Sequence, residues 1–426
     1  MVADPPPQPD LSRLPADTVV LLRRLGALGR ERGTDVYLVG GLVRDLFLDA
    51  GNVDLDLAVA GDGPAFAGRA AEVLGGTLVV HERFMTATVT LEDHSMIDVA
   101  TARTETYERA GALPRVRPAP IEADLRRRDF TVNAMALQLS PAAFGSLMDP
   151  FGGAADVAGR RLRILHDRSF LDDPTRILRM ARFAARLEFD PEEGTARRLA
   201  EALEGGVFDF VSGDRLREEV FIGLNEPEPA AVFARLESWR ALEALLPGAA
   251  PGGDLAELEE LAGRLVAFCE KGPSWDPSVL RLLLLMRTAL PPALDAAGQK
   301  LNLSPGSREV LRYAPRLPEL ARAAEAAGKL SEVHRALRGL PLEVQLAALV
   351  FVGPEPARER VFTYLCGDRV LKTELTGDDL QEIGYPRGPG LKPILDGLLE
   401  AKLDGEVESR RDEERWVRAH FPPASN

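Results

Sequence analysis

Short runs rich in β-branched residues crowd the first third of the chain and then stop. Val36–Val39, Leu55–Val59, Thr77–Val80, Ala87–Leu91 and Met96–Val99 have the length and composition of strands, and stretches long enough for helices separate several of them. Their close spacing predicts a region with an antiparallel or mixed sheet from Val36 to about Leu139. From about Gly159 onward strand patterns nearly vanish, and Leu and Ala recur at helical spacing among Arg and Glu to the C-terminus. Breaks are predicted near Gly205-Gly206, Pro247 to Gly253, Gly353-Pro354 and Tyr385 to Gly390. The Pro-rich first 15 residues are predicted to be disordered. The chain therefore reads as a sheet-bearing head followed by several helical segments, without an internal repeat.

A length of 426 residues exceeds one compact core and suits two to four small units. No uninterrupted apolar run is long enough to span a membrane, and in the very apolar stretch Val279 to Leu290 the charges Arg281 and Arg287 argue for a buried helix. The N-terminus, with Pro5-Pro6-Pro7, lacks the layout of a signal peptide. Two cysteines, Cys269 and Cys366, stand apart from any CxxC or histidine cluster. They fit a reducing, cytoplasmic compartment and argue against a zinc site. The net charge of −14 argues against a nucleic-acid partner, but the charge is uneven. Between Thr101 and Arg186 there are 15 arginines, no lysine and 10 acidic residues. Arginine without lysine suits bidentate phosphate or base contacts; a compositional bias toward arginine is the plainer reading.

Three clusters carry candidate chemistry. In the first, the strand Tyr37-Leu38-Val39 runs into Gly40-Gly41, then Arg44. Glycines there allow close backbone approach to a ligand, and Arg44 would face phosphate from the first turn of a helix. Shortly after comes Asn52-Val53-Asp54-Leu55-Asp56. Two aspartates two apart on a strand share a face, an arrangement able to hold two divalent cations and assist departure of pyrophosphate. Asp98, on a later strand, is either a third carboxylate at those metals or a surface aspartate on an edge strand. The second cluster is Arg126-Arg127-Arg128-Asp129-Phe130-Thr131-Val132-Asn133. Its arginines read as a solvated helix end or as triphosphate ligands, and Asp129 and Asn133 share a side if the segment is helical. The third is Asp172-Asp173-Pro174-Thr175-Arg176, followed by Arg179, Arg182 and Arg186. Pro174 makes Asp173 a candidate N-cap. The four arginines fall on one helical face, with Ile177, Leu178, Ala181 and Ala184 on the other; a capped amphipathic helix with a charged outer stripe explains the pattern equally well.

In order and spacing, GGLVRD, NVDLD, RRRDFTVNAMA, DPFGG and DDPTRILRMARFAARL resemble the class II tRNA nucleotidyltransferase and bacterial poly(A) polymerase family, from about Tyr37 to about Glu219. The fragment Val211 to Glu219 is similar to the family's neck motif, with Asp214 where glutamate is commoner. Leu375 to Leu380, Gly388-Pro389-Gly390 and Ala401 to Gly405 resemble the tail of the tRNA enzymes rather than the basic end of the poly(A) polymerases.

The resemblance implies an α+β fold: a nucleotidyltransferase head with a small mixed sheet over 16–158, followed by an all-α neck over 159–225 for base recognition, a body over 226–352 and a tRNA-binding tail over 353–426. It implies template-independent addition of CMP or AMP, from CTP and ATP, to the tRNA 3′ end. By position, Asp54 and Asp56 would be catalytic and bind Mg²⁺. Gly41, Arg44 and Arg128 would hold the triphosphate. Asp173 and Arg176 would read the base, with Arg179 and Arg182 nearby. Cytosine and adenine both present an amino donor beside a ring-nitrogen acceptor, which a carboxylate and a guanidinium complement, whereas uracil and guanine place a carbonyl against the carboxylate. Full CCA addition is the expected activity. Alternatives are A-only addition, suggested by Asp172-Asp173; CC-only addition, opposed by the segment Thr104 to Ile121 in place of the family's flexible loop; poly(A) synthesis; and a non-catalytic RNA-binding module on an inactive head.

Overall fold

The computed structural model describes residues 9–48, 54–106, 111, 115–252, 255, 275–353 and 355–422. They fall into two compact units, Met1–Glu219 and Val220–Asn426. Of the first 15 residues, 1–8 lie outside the described ones, and Leu11–Arg13 form one 3-10 turn capped by Asp10.

The first unit opens with α1 (Ala16–Glu31), β1 (Val36–Val39), α2 (Gly41–Leu48), β2 (Leu55–Val59) and α3 (Gly63–Leu74). Next come β3 (Thr77–His81), β4 (Thr86–Thr90), β5 (Met96–Thr101), β6 (Arg103–Thr106) and β7 (Arg115–Pro118). After α4 (Ile121–Arg126), β8 (Ala136–Gln138) and β9 (Leu147–Met148) complete the sheet. Then follow α5 (Gly153–Ala158), α6 (Ser169–Asp172), α7 (Arg176–Leu187), α8 (Glu193–Glu204) and α9 (Gly213–Leu224).

Among the described residues, seven strands form one mixed sheet in the order β3-β4-β5-β2-β1-β8-β9. β2 and β5 run parallel, with Asp56 opposite Asp98, and the other pairs are antiparallel. The five strand patterns of the sequence match β1 to β5, with β4 displaced by one residue. β8 and β9 are too short for hydrophobic alternation to show. The segment expected to be a flexible loop carries the antiparallel ribbon β6–β7; its residues 107–110 and 112–114 lie outside the described ones.

Period-two alternation sets the faces of the sheet. Leu55, Leu57 and Val59 of β2, Ala87 and Val89 of β4, and Ile97 and Val99 of β5 are buried. α3 packs against β2 to β5 and buries Phe66, Ala67, Ala70 and Ala71. On the opposite face, Tyr37, Val39 and Ala58 form a core with Ile121 and Leu125 of α4 and with Ala134 and Ala136. Asp56 and Asp98 belong to that second face, beyond its apolar cover.

The second unit is helical throughout its described residues. Pro277–Leu285 forms the buried helix expected there, and it places Leu282 to Leu285 in the core. Further on, Leu375, Leu380, Tyr385, Leu398 and Val417 make a small separate core. The fully buried Glu413 accepts the amides of Glu374 and Leu375 and is paired with Lys402 at 2.8 Å.

The DPFGG segment has a structural purpose in the first unit. Asp149 accepts the amides of Gly153 (2.6 Å) and Ala154 (2.9 Å), which caps α5. Gly153 lies so close to Thr131 that a Cβ would collide with the Thr131 carbonyl oxygen and the Met135 side chain. Gly153→Ala should therefore displace the 129–133 segment. An overpacking cost of about 1–3 kcal/mol, seen as a lowered thermal midpoint with faster amide exchange over 129–137, is the expected result; an unchanged midpoint would show that the contact yields freely.

Candidate active site

One cleft of about 820 Å³ in the first unit gathers nearly every candidate residue. Gly41, Arg44, Asp54, Asp56, Asp98, Arg128, Asp173, Arg176 and Arg179 all line it. Arg182 does not; it is paired with Glu219 at 3.3 Å.

The carboxylates stand on the sheet side. Asp56 is on β2, whereas Asp54 lies one residue before the strand rather than within it. Asp98 accepts a hydrogen bond from Thr88 at 2.6 Å. Burial raises the Asp56 carboxyl, Arg128 pulls it back, and Asp98 and Asp54 push it up again, which leaves it at about 6. Like charges around a half-buried carboxylate favour a cation there. No group of three or more His, Cys, Asp or Glu among the described residues is arranged to hold a metal ion. The oxygen donors nonetheless fit Mg²⁺, which takes one or two carboxylates and completes its shell with water and substrate phosphates.

Gly40, not Gly41, is the position the backbone reserves for glycine. Its φ is +78°, and a Cβ there would lie 3.3 Å from both an Asp56 oxygen and an Arg128 nitrogen. Gly41 begins α2 and lines the cleft.

The arginines differ from one another in a way that the sequence does not show. Arg44 is in α2 as expected, but it is buried and engaged: its guanidinium holds Asp45 at 2.7–2.8 Å, donates to Asn133 Oδ1 at 2.7 Å, and lies over the Phe183 ring. Arg127 is tied to Asp124 and Glu105. Arg128 donates one bond, to Asp124, and its buried Nε has no hydrogen-bond partner. Arg128 lines the cleft, and its terminal nitrogen and an Asp56 oxygen flank Gly40, a position suited to an incoming phosphate oxygen.

The 129–133 segment is not an α-helix. Phe130 makes an isolated β-bridge with Ile164, and Thr131–Asn133 form a 3-10 turn. Asp129 and Asn133 still meet, because Asn133 Nδ2 donates to Asp129 Oδ1 at 3.0 Å. Asp129 also accepts the Phe130 amide and two bonds from Arg179, at 3.0 and 2.6 Å. A continuous chain thus runs Asp45–Arg44–Asn133–Asp129–Arg179, from α2 across the turn to α7.

Asp173 is not the N-cap of α7. It has extended backbone after α6, and Thr175 holds the cap position. Its Oδ1 accepts from the Thr175 amide and hydroxyl at 3.2 and 2.7 Å, and from Arg215 of α9 at 2.8 Å. These bonds leave the second oxygen, Oδ2, turned to other donors. Arg215 also donates to the Gly111 carbonyl at 3.0 Å. Arg176 is only 5% exposed; its terminal nitrogens donate to Ser169 Oγ (2.6 Å) and the Arg127 carbonyl (2.7 Å). Arg176, Arg179 and Arg186 of α7 therefore line the cleft, and Arg182 pairs with Glu219, while Ile177, Leu178, Met180, Ala181 and Ala184 are buried behind them. Sequence reasoning missed Glu105, Arg215 and Glu219, whose roles rest on long-range pairs, and Asp124, whose pairs with Arg127 and Arg128 lie at helical i,i+3 and i,i+4 spacing.

This fold and this cleft define a nucleotidyltransferase head. Residues 36–163 match the family described as the poly A polymerase head domain. Over 95% of its length the chain is 33% identical to the A-adding tRNA nucleotidyltransferase of Halalkalibacterium halodurans, and it covers 93% of that protein. It is 34% identical to the enzyme of the same name from Geobacter sulfurreducens, but spans about half, 47%, of that relative's length. A CCA-adding enzyme solved in a second apo form superposes with a TM-score of 0.83 at 32% identity, over 96% of this chain and 97% of the other. The Thermotoga maritima CCA-adding enzyme, solved in complex with tRNA, gives 0.73 at 31% identity over 96% and 97%. The chain belongs to the class II tRNA nucleotidyltransferases, a family of enzymes.

The Asp129–Arg179 pair sets a pH signature. Burial raises the Asp129 carboxyl, but Arg179 and Asn133 outweigh it and hold it at about 2. A carboxylate with a lowered folded-state value stabilises fully above its unfolded value near 4 and loses that contribution as pH falls toward 2. The stability gap between the parent and Asp129→Asn should thus shrink by roughly 2 kcal/mol from pH 5 to pH 2. Amide exchange in α7 under graded urea reads this gap; a pH-independent gap would mean that Asp129 is not charged through the pair.

Proposed function

We propose that the protein transfers CMP and AMP from CTP and ATP to the 3′ end of tRNA without a nucleic-acid template. The observation that carries this reading is the gathering in one cleft of Asp54, Asp56 and Asp98 with Arg128, Asp173 and Arg179. Asp54 and Asp56 would hold Mg²⁺, which when bound lowers the pKa of a hydroxyl and neutralises charge on a triphosphate. Arg128 offers its guanidinium to the triphosphate, and Gly40 leaves room beside Asp56 for its approach. Arg44 acts from behind by fixing Asn133.

Base choice falls to Asp173. Thr175 and Arg215 fix Oδ1, so Oδ2 is the acceptor for an amino group of cytosine or adenine. Arg176 is placed as a brace that joins α6, α7 and the Arg127 carbonyl, and it acts on the base through that frame. A second reading, AMP addition alone, is favoured by the A-adding names of the Geobacter and Halalkalibacterium relatives.

Incubation with tRNAs ending at the discriminator base, at C and at CC, with CTP, ATP or both, separates the readings. CMP incorporation on the shortest acceptor supports CCA addition; AMP incorporation on the CC end alone supports the second reading. Asp54→Ala should abolish incorporation on every acceptor while RNA binding persists, and retained incorporation would sink the carboxylate mechanism.

Asp173→Asn keeps an oxygen for Thr175 and Arg215 but turns an amide donor toward the base. The expected result is a gain of about tenfold or more in UTP and GTP use relative to CTP and ATP. Discrimination as sharp as the parent's would remove Asp173 from base reading.

A further inference from the structure

Beyond the catalytic carboxylates, the same face of the sheet continues outward, and among the described residues it is partly to fully exposed. The register places Asp56, Asp98, Thr88 and Val79 in one row across β2, β5, β4 and β3. A parallel row holds Ala58, Ala100, Thr86 and His81, and on the other side Met96, Thr90 and Thr77 align. The reverse face of β4 and β5 is covered by α3, with Ala87, Val89, Ile97 and Val99 buried, while on the edge strand β3 Leu78 and Val80 stay partly exposed on that face. On the open face Val79 is 55% and Met96 60% exposed, and His81 is exposed as well. His81, Thr86, Thr88, Asp98 and Ala100 already line the cleft, so the open face and the active site are continuous.

We propose that this face, built on Val79, His81, Thr86, Thr88 and Met96, seats the unpaired nucleotides that precede the RNA 3′ hydroxyl. The proposal rests on the functional reading above: if the terminal hydroxyl meets Asp54 and Asp56, the preceding nucleotides must leave the cleft over a neighbouring surface. Elsewhere the cleft lining is filled by Arg128, Arg176, Arg179 and their hydrogen-bond partners. The sheet side is open, and four strands at ~4.8 Å spacing give about 14 Å of path, enough for two or three nucleotides. Its chemistry suits bases rather than phosphates. Asp98 is the one charged residue of the face from β3 to β5 at neutral pH with His uncharged, and an imidazole, a thioether and an isopropyl group offer stacking and apolar contact. Threonine hydroxyls can donate to or accept from base edges and the ribose 2′-hydroxyl. Single-stranded RNA is commonly read on an open sheet in this way, by stacking with few charges.

The test uses the full chain and a tRNA minihelix ending in CC. His81→Ala and Val79→Asp change exposed side chains, and a thermal scan confirms folding. Each should raise the KM for the minihelix by about tenfold, with kcat at saturating RNA and the KM for ATP unchanged. A photoreactive base at the penultimate position of the RNA should crosslink to the peptide Thr77–His81 or to Met96. Unaltered RNA KM in both variants, or crosslinks confined to other segments, would overturn the proposal. So would a concentration-dependent dimer abolished by Val79→Asp with RNA binding intact, because the exposed edge would then serve a second copy. Crosslinking needs no turnover: failure of nucleotide addition by the parent with crosslinks at β3 would overturn the functional reading and leave this one standing.

Discussion

The ion pair between Asp129 and Arg179 is the constraint on which the active-site geometry depends. Asp129 is 6% exposed, and it joins a turn of the head to a helix fifty residues later by two hydrogen bonds, the shorter 2.6 Å. A buried carboxylate tolerates such a place only when its acceptor positions are filled. The Phe130 amide, the Asn133 amide group and Arg179 fill them. Asn133 in turn holds Arg44 through its other end. Three elements that share no local sequence are thereby fixed relative to one another, and Arg179 is held with its charge raised rather than suppressed by burial.

That arrangement changes what the charge distribution means. Taken along the chain, the arginine excess between Thr101 and Arg186 suggests a basic patch. In space, the cleft is lined by Arg44, Arg127, Arg128, Arg176, Arg179, Arg186 and Arg215, and by just as many acids: Asp54, Asp56, Asp98, Glu105, Asp129, Asp173 and Glu219. Much of the positive charge is matched by a specific carboxylate at hydrogen-bonding distance, as in Arg127 with Asp124 and Glu105, and Arg215 with Asp173. The arginines are accordingly frame members of the cleft. An acidic protein can thus line a cleft with seven arginines without a massed positive surface.

This also explains which features were legible beforehand. β1, β2, β4 and β5 were visible because each is half-buried or fully buried, so alternation or a continuous apolar run marks it, whereas β3 is exposed along its length and showed only through its β-branched composition. The identity of the cleft residues was visible because Asp54, Asp56 and Arg128 sit in short ordered motifs. What escaped was pairing. Asp129 and Asn133 are four apart, which suggests a helix, yet they meet across a 3-10 turn because Asn133 spans Asp129 and Arg44. Asp173 before Pro174 looks like a cap, but Arg215, 42 residues on, claims the same oxygen as Thr175. Arg176 looks like part of an exposed stripe and is instead a buried brace. In each case the deciding partner lies far along the chain, where local periodicity carries no information.

A consequence follows for nucleotide choice. An acceptor fixed on one side by Thr175 and Arg215 distinguishes amino from carbonyl edges, since a carbonyl there would leave two buried acceptors facing one another. It does not distinguish cytosine from adenine, which share the amino group beside a ring nitrogen. If Asp173 reads the base, discrimination between CTP and ATP must come from something that senses ring size or the length of the RNA end. Arg215 is well placed for that, because one side chain ties Asp173 to the Gly111 carbonyl, in the connection between β6 and β7. A shift of either partner would move the other, so Asp173 and Gly111 are mechanically one unit.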